Sequence, residues 1–549
     1  MSTNLSQQKR DSLIETLEFL KERNTDIEIK AKLTEIEKEL KSKKYGLIWE
    51  EHEEKVDEEL KKNIPVFREI EEKEICSDKN NNINFLLEGD NLHSLYLLEK
   101  THKSKIDFIY IDPPYNTENK EFIYDDKRIG IDDGYRHSKW ISFMAKRLNV
   151  ARKLLSNDGV IFISIDKNEF AQLKLLCDDI FGENNFIGTL IWRKKYGGGQ
   201  TDEFFVTEHE YIFGYRKTDK FNWIDKKVQK TDESYKYEDE NGKFNITKLE
   251  KWGSSAHRED RPTMYFSILD PDNNELFPIA PDGQDGRWRV GKNRMEDLIK
   301  NDLIYWNKDE KNNRWIPYEK TYYTGNEYKI IKSRSILYDL AETGDATKTL
   351  TEIFEKKDVF PNPKPVEIIR FLLEHTKSET VLDFFAGSGT TAQAVLEQNK
   401  EDGKNRKFIL CTNNENNICE EITYKRIEKV IKGYGDHIGI PANLKYYTTE
   451  YVKRYHLQNE DIELSDELLN NIKELVVLEN NIRINNKIKL ILKEDDLSDI
   501  KNWSLPDISK VYISSDILLD SEVENSFIEN NIKIIYVPEY YYRSEIEEL

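Results

Sequence analysis

The stretch FIYIDPPYNT, residues 108–117, limits the fold more than any other part of the chain. Phe108, Ile109, Tyr110 and Ile111 form a short unbroken apolar run that reads as a buried strand. Proline has no N–H to give a sheet ladder, so Pro113 and Pro114 end that strand. Asp112 is then either an ordinary turn residue or an acid set deliberately at a strand end, and Tyr115 follows as an aromatic beyond a stiff turn.

The flanking sequence repeats the pattern. NFLLEGD (84–90) reads as a strand ending at Gly89-Asp90, and NLHSLYLLEK (91–100) as a helix with leucines at 92, 95, 97 and 98. After the Pro-Pro turn, residues 140–159 carry apolar positions at helical spacing and stop at Asn-Asp-Gly. GVIFISID (159–166) is a further buried strand and EFAQLKLLCDDIFG (169–182) a further helix. Strands alternating with helices imply a mostly parallel, doubly wound α/β sheet. The texture then breaks. Residues of about 218–345 are charged, aromatic and rich in polar turns, which reads as an inserted, partly β domain. TVLDFFAGSGTTAQAVLEQNK (380–400) restores the strand–turn–helix pattern, and KFILCT (407–412) adds a strand. Residues 1–75 read as a helical arm, and the Ile-, Asn- and Glu-rich region after about 440 as a separate small α/β domain.

Bulk properties exclude several classes. No run of about 18 apolar residues exists, and the N-terminus lacks the apolar core of a signal peptide, so a cytoplasmic, membrane-free protein is expected. Cys76, Cys177, Cys411 and Cys419 form no CxxC pair, and the nine histidines form no HExxH. Neither a structural metal nor a disulfide framework is expected. A net charge of −21 argues against a general polyanion binder while leaving room for local basic surfaces such as WRKKYGGGQ (192–200) and KIIKSR (329–334).

LDFFAGSGTTAQAV is not a P-loop, because no lysine follows Gly389. Gly387-Ser388-Gly389-Thr390-Thr391-Ala392 does give G-x-G-x-x-A between a strand and a helix, the setting in which glycines let a ligand approach the backbone. The loop alone does not choose between a nicotinamide dinucleotide and S-adenosylmethionine. Asp383 at the strand end and Phe385 inside the loop favour a ligand with an ammonium and an adenine.

Together, DPPY followed by an insert and then FAGSG resembles the β group of DNA amino-methyltransferases. LLEGDNLHSL (86–95), KRLNVARKLLSNDGVIFISID (146–166), EHEYIFGYRK (208–217) and FPNPKPVEIIRFLL (360–373) also look like segments of that family. The helical arm and KYGLIWEEHEE (44–54) most resemble the modification subunits of Type III restriction–modification systems, and the resemblance spans roughly residues 44–435. It implies a Rossmann-like methyltransferase core, with an N-terminal helical arm (1–75), a catalytic half (76–217), a target-recognition insert (218–345), a cofactor-binding half (346–437) and a C-terminal domain (438–549).

The chemistry agrees with this resemblance. An exocyclic amine is a poor nucleophile because its lone pair is delocalised into the base. Asp112 can accept one amine N–H and the Pro113 carbonyl the other, with Pro113-Pro114 stiffening the turn. Tyr115 can stack on a base swung out of the duplex. The resemblance implies adenine N6 as the target, since cytosine-N4 enzymes more often carry Ser in place of the acid. It also implies that Asp383, Phe385, Gly387, Gly389 and Thr390 line an S-adenosylmethionine site. Asp90 and Lys364 are expected to reach that site, and Glu415 to hold the ribose hydroxyls. Arg287, Arg289 and Arg294 are candidate DNA contacts. The implied partners are double-stranded DNA, a second copy of the chain and an ATP-dependent restriction subunit. The alternatives are a cytosine-N4 or RNA amino-methyltransferase, a non-catalytic S-adenosylmethionine-binding module, and a nicotinamide-dependent enzyme.

Overall fold

A computed structural model describes residues 5–23, 26–41, 49, 52–77, 82–117, 123–124, 127–128, 135–197, 204–326, 328–453, 468, 470–485, 487–515, 517–538 and 541. Most of KYGLIWEEHEE, the end of WRKKYGGGQ and part of the tyrosine run at 540–542 lie outside the described residues. The chain forms two compact units, one of Met1–Ile224 with Arg334–Leu549, the other Asp225–Ser333.

Among the described residues of the first unit, eleven strands make one sheet. In chain order they are β1 (Asn63–Glu69), β2 (Ile75–Cys76), β3 (Ile83–Glu88), β4 (Ile106–Ile111), β5 (Leu155–Ile165), β6 (Phe186–Arg193), β7 (His209–Arg216), β8 (Ile336–Leu337), β9 (Thr380–Asp383), β10 (Lys407–Thr412) and β11 (Asn443–Lys453). Their spatial order is β1-β11-β3-β10-β9-β4-β5-β7-β6-β8, with β2 beside β11. From β11 through β5 every pairing is parallel. β7 then runs antiparallel to both β5 and β6.

Side chains of β4 alternate between two cores. Ile109 and Ile111 join one buried cluster, Phe108 and Tyr110 the other. Helices Asn91–His102 and Arg136–Leu154 supply Leu95, Leu98, Leu148 and Leu154 to the first; helices Val366–Glu374 and Thr390–Asp402 supply Ile369, Leu372 and Val395 to the second. With both faces covered, the strand has no solvent face, which is why IDFIYI carries no polar alternation. This is the doubly wound α/β architecture. β9 and β4 are neighbours, yet β3 and β10 lie to one side of the pair and β5 to the other. In such sheets the crevice beyond the carboxyl ends, where strand order reverses, is where ligands bind.

One expectation needs correction. The stretch expected as a helical arm is helical at Leu5–Arg23, Ile27–Lys41 and Lys55–Lys62, but its end forms β1 and β2, which pair antiparallel with β11. The run IPVF is too short for periodicity to separate strand from helix, and its partner lies far along the chain. Likewise β11 belongs to the main sheet, and the smaller parallel sheet of Ile488–Ile491, Lys510–Ile513 and Lys533–Tyr536 begins only after it, around Ile491, Val511, Ile513 and Phe527.

The second unit holds a four-stranded antiparallel sheet in the order Tyr237–Asp239, Gly242–Lys248, Arg314–Tyr322, Ile304–Asp309. Its core gathers Leu249, Trp288, Met295 and Leu298. Lys226–Gln229 and Tyr328–Ile331 pair as an antiparallel ribbon exposed on both faces. Arg287, a candidate DNA contact, is buried here and donates to the Ser255 carbonyl at 2.6 Å, so its fork holds the unit together. Arg294 is paired with Glu319 at 2.9 Å, and Arg289 is exposed.

Candidate active site

Four parallel strands, β3, β10, β9 and β4, end on the same edge of the sheet and deliver Asp90, Glu415, the glycine loop and Asp112 to it. A cavity of about 660 Å³ opens there. Asp90, Asp112, Pro114, Phe385, Gly387 and Glu415 line it, with Glu54, Glu59, Phe143 and Phe360.

The glycine loop is braced from below. The Asp383 carboxylate accepts from the Phe385 N–H at 2.9 Å and from the Thr391 hydroxyl, closing the turn on itself. Burial pushes the Asp383 carboxyl up to about 7. Gly387 and Gly389 have φ of +48° and +77°, the left-handed region. A Cβ at Gly387 would lie 3.3 Å from the Phe360 ring. The Thr390 hydroxyl is engaged by the Lys364 carbonyl at 3.2 Å and the Arg426 guanidinium at 2.8 Å, which also holds Ser388. Asp383, Gly389 and Thr390 therefore shape the loop from outside the cavity lining, whereas Phe385 and Gly387 face the space itself.

The opposite wall rests on a buried arginine. Arg147 pairs with Glu54 at 3.0 Å and Asp90 at 3.4 Å, and its guanidinium stacks 3.6 Å from the Phe143 ring centre. Asp90 also caps helix Asn91–His102 by accepting from Leu92 N–H at 2.7 Å. Asn91 donates to the Phe384 carbonyl at 2.8 Å, tying this wall to the glycine loop.

The DPPY turn is held at Asp112, Pro114 and Tyr115. Trp140 donates its indole N–H to the Pro114 carbonyl at 2.6 Å. Tyr115 donates to Asp112 Oδ1 at 2.6 Å, and Lys364 Nζ lies 3.0 Å from the same oxygen. Lys364 is 9% exposed and reaches Glu210 Oε2 at 3.1 Å. Burial disfavours its charge, but the Asp112 and Glu210 carboxylates outweigh burial and hold its pKa above the ordinary lysine value. The structure thus places Lys364 on the acid of the DPPY turn, not on the cavity lining. Beyond Tyr115, Asn116 turns with φ +56° and donates to Glu169, which also meets His137 Nδ1 at 2.7 Å.

The comparisons with known proteins follow this geometry. A family model described as DNA methylase, of the N6/N4 type, matches residues 106–449. The chain belongs to the N6/N4 DNA methylase family. This family member is 34% identical over 417 residues to the Type III restriction-modification enzyme EcoPI Mod subunit of Escherichia phage P1, covering 65% of this chain and 63% of that subunit. It is 36% identical over 355 residues to the Type II methyltransferase M.KpnI of Klebsiella pneumoniae, covering 61% and 82%. Its identity to the Type III EcoP15I Mod subunit of Escherichia coli is 30% over 438 residues, covering 69% and 67%. The methylase chain spans just under two thirds of the EcoPI subunit's length.

Sequence reasoning missed several residues around this cavity and the DPPY turn. Glu210 is an acid inside HEYIFGYR and Glu169 an acid after ISIDKN, each out of character in its setting. Arg147 gave no signal, since a basic residue on helix 136–154 reads as a solvated position. Glu169 supports a pH prediction. Burial pushes its carboxyl up to about 8, so the folded state keeps a proton that the unfolded chain releases above about 4.5. Stability linked to that proton is present at low pH and is lost as pH rises through about 8. From about pH 5 to 8 the Tm of the wild-type chain is expected to fall relative to that of Glu169→Gln, then to run parallel to it. Melting curves of the two proteins across that range check this; parallel curves throughout would remove Glu169 as the titrating group.

Proposed function

We propose that the chain is a site-specific DNA methyltransferase that moves a methyl group from S-adenosylmethionine to N6 of adenine in double-stranded DNA, as the modification subunit of a Type III restriction–modification system. One observation carries the reading: the DPPY acid and the glycine loop border one cavity, at the point where strand order reverses.

The lining favours this cofactor. Glu54, Glu59, Asp90, Asp112 and Glu415 set five carboxylates around the space against Lys55 and Arg147, leaving it acidic. Such a wall repels a pyrophosphate and suits an ammonium, a sulfonium and ribose hydroxyls. Phe385 and Phe360 offer apolar surface for an adenine, and the bare Gly387 leaves room beside them. Asp90 and Glu415 stand where they can accept from cofactor N–H or O–H groups. When bound, S-adenosylmethionine supplies an electrophilic methyl on a positive sulfur, so no metal is required.

The chain's own residues handle the base. Asp112 accepts one N–H of the target amine, and the Pro113 carbonyl accepts the other, drawing the nitrogen lone pair out of conjugation. The Pro114 carbonyl is already taken by Trp140. With S-adenosylmethionine bound, the nitrogen lone pair would take the methyl, and the sulfur would keep the S–C electron pair and leave as a neutral thioether. The amine then loses one proton to Asp112 or water. The acid in place of Ser supports adenine over cytosine.

The insert 218–345 is read as the target-recognition domain. Its ribbon presents Lys226, Lys227 and Lys329 in a chain of net charge −21, which supports contact with phosphates. The reading includes a cytoplasmic location, pairing with a second copy and association with an ATP-dependent restriction subunit. Among the described residues no helix is long and apolar enough to cross a membrane.

The test is long-read sequencing of DNA from cells expressing this chain alone. N6-methyladenine at one short motif on one strand is expected. Methylcytosine in its place would overturn the choice of base. Purified protein that binds S-adenosylmethionine but labels no unmethylated DNA would overturn the function.

A further inference from the structure

We propose that Glu210 is a positioning residue for methyl transfer: it holds Lys364 and Tyr115 against one oxygen of Asp112, leaving the other oxygen to receive the target amine. The inference rests on the methyltransferase reading above.

The geometry is a closed ring of polar atoms. Asp112 Oδ1 takes both the Tyr115 hydroxyl at 2.6 Å and Lys364 Nζ at 3.0 Å. Glu210 Oε2 lies 3.1 Å from each of the same two groups. Lys194 holds the second oxygen of Glu210 at 3.1 Å. The Tyr115 hydroxyl and the nearest approach of Lys364 both fall on Oδ1, and Asp112 lines the cavity. A carboxylate free to rotate would offer the amine either oxygen at any angle. This one has its rotation fixed by two contacts, and Glu210 fixes both of those contacts.

The position of Glu210 explains how it can do so. It lies on β7 opposite Trp192 of β6, and is 7% exposed. The Trp192 ring centre is 6.0 Å from Lys364 Nζ, and the Tyr115 ring centre 4.9 Å. Two rings and two carboxylates thus enclose the ammonium. A buried ion cluster of this kind seldom adds stability over a well-packed apolar one. Its presence beside the reacting acid is better explained by the aim it gives Asp112.

A second consequence separates positioning from plain structural support. Lys364 is the cation shared by two carboxylates. Without it, Glu210 keeps Lys194 but Asp112 loses its cation, and the two carboxylates oppose each other across the single proton of Tyr115. Removing the Glu210 charge as well relieves that conflict. Loss of Lys364 alone is therefore worse than loss of both.

Glu210→Gln, Glu210→Asp, Lys364→Met and the double variant Glu210→Gln/Lys364→Met test this. Rates come from single turnovers on a duplex that the wild-type protein methylates, and S-adenosylmethionine affinity from calorimetry. Glu210→Gln is expected to lower the single-turnover rate by about tenfold to a hundredfold with cofactor affinity changed by less than about twofold, and Glu210→Asp to recover part of the loss. The double variant is expected to be faster than Lys364→Met, an inverted coupling that loss of packing does not produce. A Glu210→Gln rate within about twofold of wild type overturns the inference, as does a double variant no faster than Lys364→Met, or loss of cofactor binding in every variant. If the wild-type protein methylates no duplex, the methyltransferase reading fails first.

Discussion

Asp112→Ala is expected to lower methyl transfer by about a thousandfold or more while leaving S-adenosylmethionine affinity within about twofold of wild type. The loss has two sources. The target amine loses its carboxylate acceptor, which alone accounts for about a hundredfold to a thousandfold at comparable preorganised sites. In addition, the Lys364 ammonium, now held by Glu210 alone, has lost one of its two carboxylates beside a nitrogen that becomes positive as it attacks. Cofactor binding survives because Asp90, Glu415, Phe385 and Gly387 are untouched. Transfer of labelled methyl to unmethylated DNA, with calorimetry on the same samples, measures both quantities. A variant that keeps more than about a tenth of the rate would sink the hydrogen-bond mechanism.

Gly387→Asp is expected to give the opposite pattern, with S-adenosylmethionine affinity falling by about a hundredfold or more before any effect on DNA binding. The backbone at Gly387 is left-handed, a region that Asp enters with less strain than other side chains. The fold should therefore tolerate the change. The damage lies in the cavity, where the new Cβ would stand 3.3 Å from Phe360 and the new carboxylate would join a wall already crowded with acids. Calorimetry reads the affinity, and circular dichroism confirms that the protein stays folded. Unchanged affinity would show that the cofactor does not lie along this loop.

The contrast between these residues shows what was legible before the structure. The DPPY turn and the glycine loop are each local: strand, turn and helix are continuous in sequence, and the residue types declare the backbone they need. The parallel core of the sheet followed from the same local pattern. Asp90, Asp112, Pro114, Phe385, Gly387 and Glu415 converge on one cavity because each follows a strand that ends on the same edge. Glu210, Arg147 and Glu169 were not legible, because their roles depend on partners far along the chain: Lys364 for Glu210, Glu54 for Arg147, Asn116 for Glu169. Lys364 was expected to reach the cofactor, and its place against Asp112 was not legible. β1 and β11 were missed for a related reason, since β1 pairs with β11, and β11 with β3, only across hundreds of residues.

The adjacency of β4 and β9 also bears on how the chain emerges during synthesis. Between Ile111 and Asp383 the ribosome adds 272 residues (383 − 111). At about 5–20 residues per second this takes on the order of 15 to 55 seconds. β5 is complete within that interval and can cover one edge of β4, but the other edge waits for β9. During the wait IDFIYI is an apolar, strand-prone segment with an open ladder, the kind that recruits other nascent chains. It is fenced by Lys103, Lys105 and Asp107 near one end and by Asp112, Pro113 and Pro114 at the other. Charges and prolines so placed are gatekeepers against intermolecular pairing. The Asp-Pro-Pro that ends the strand in the finished protein thus guards it in the unfinished one.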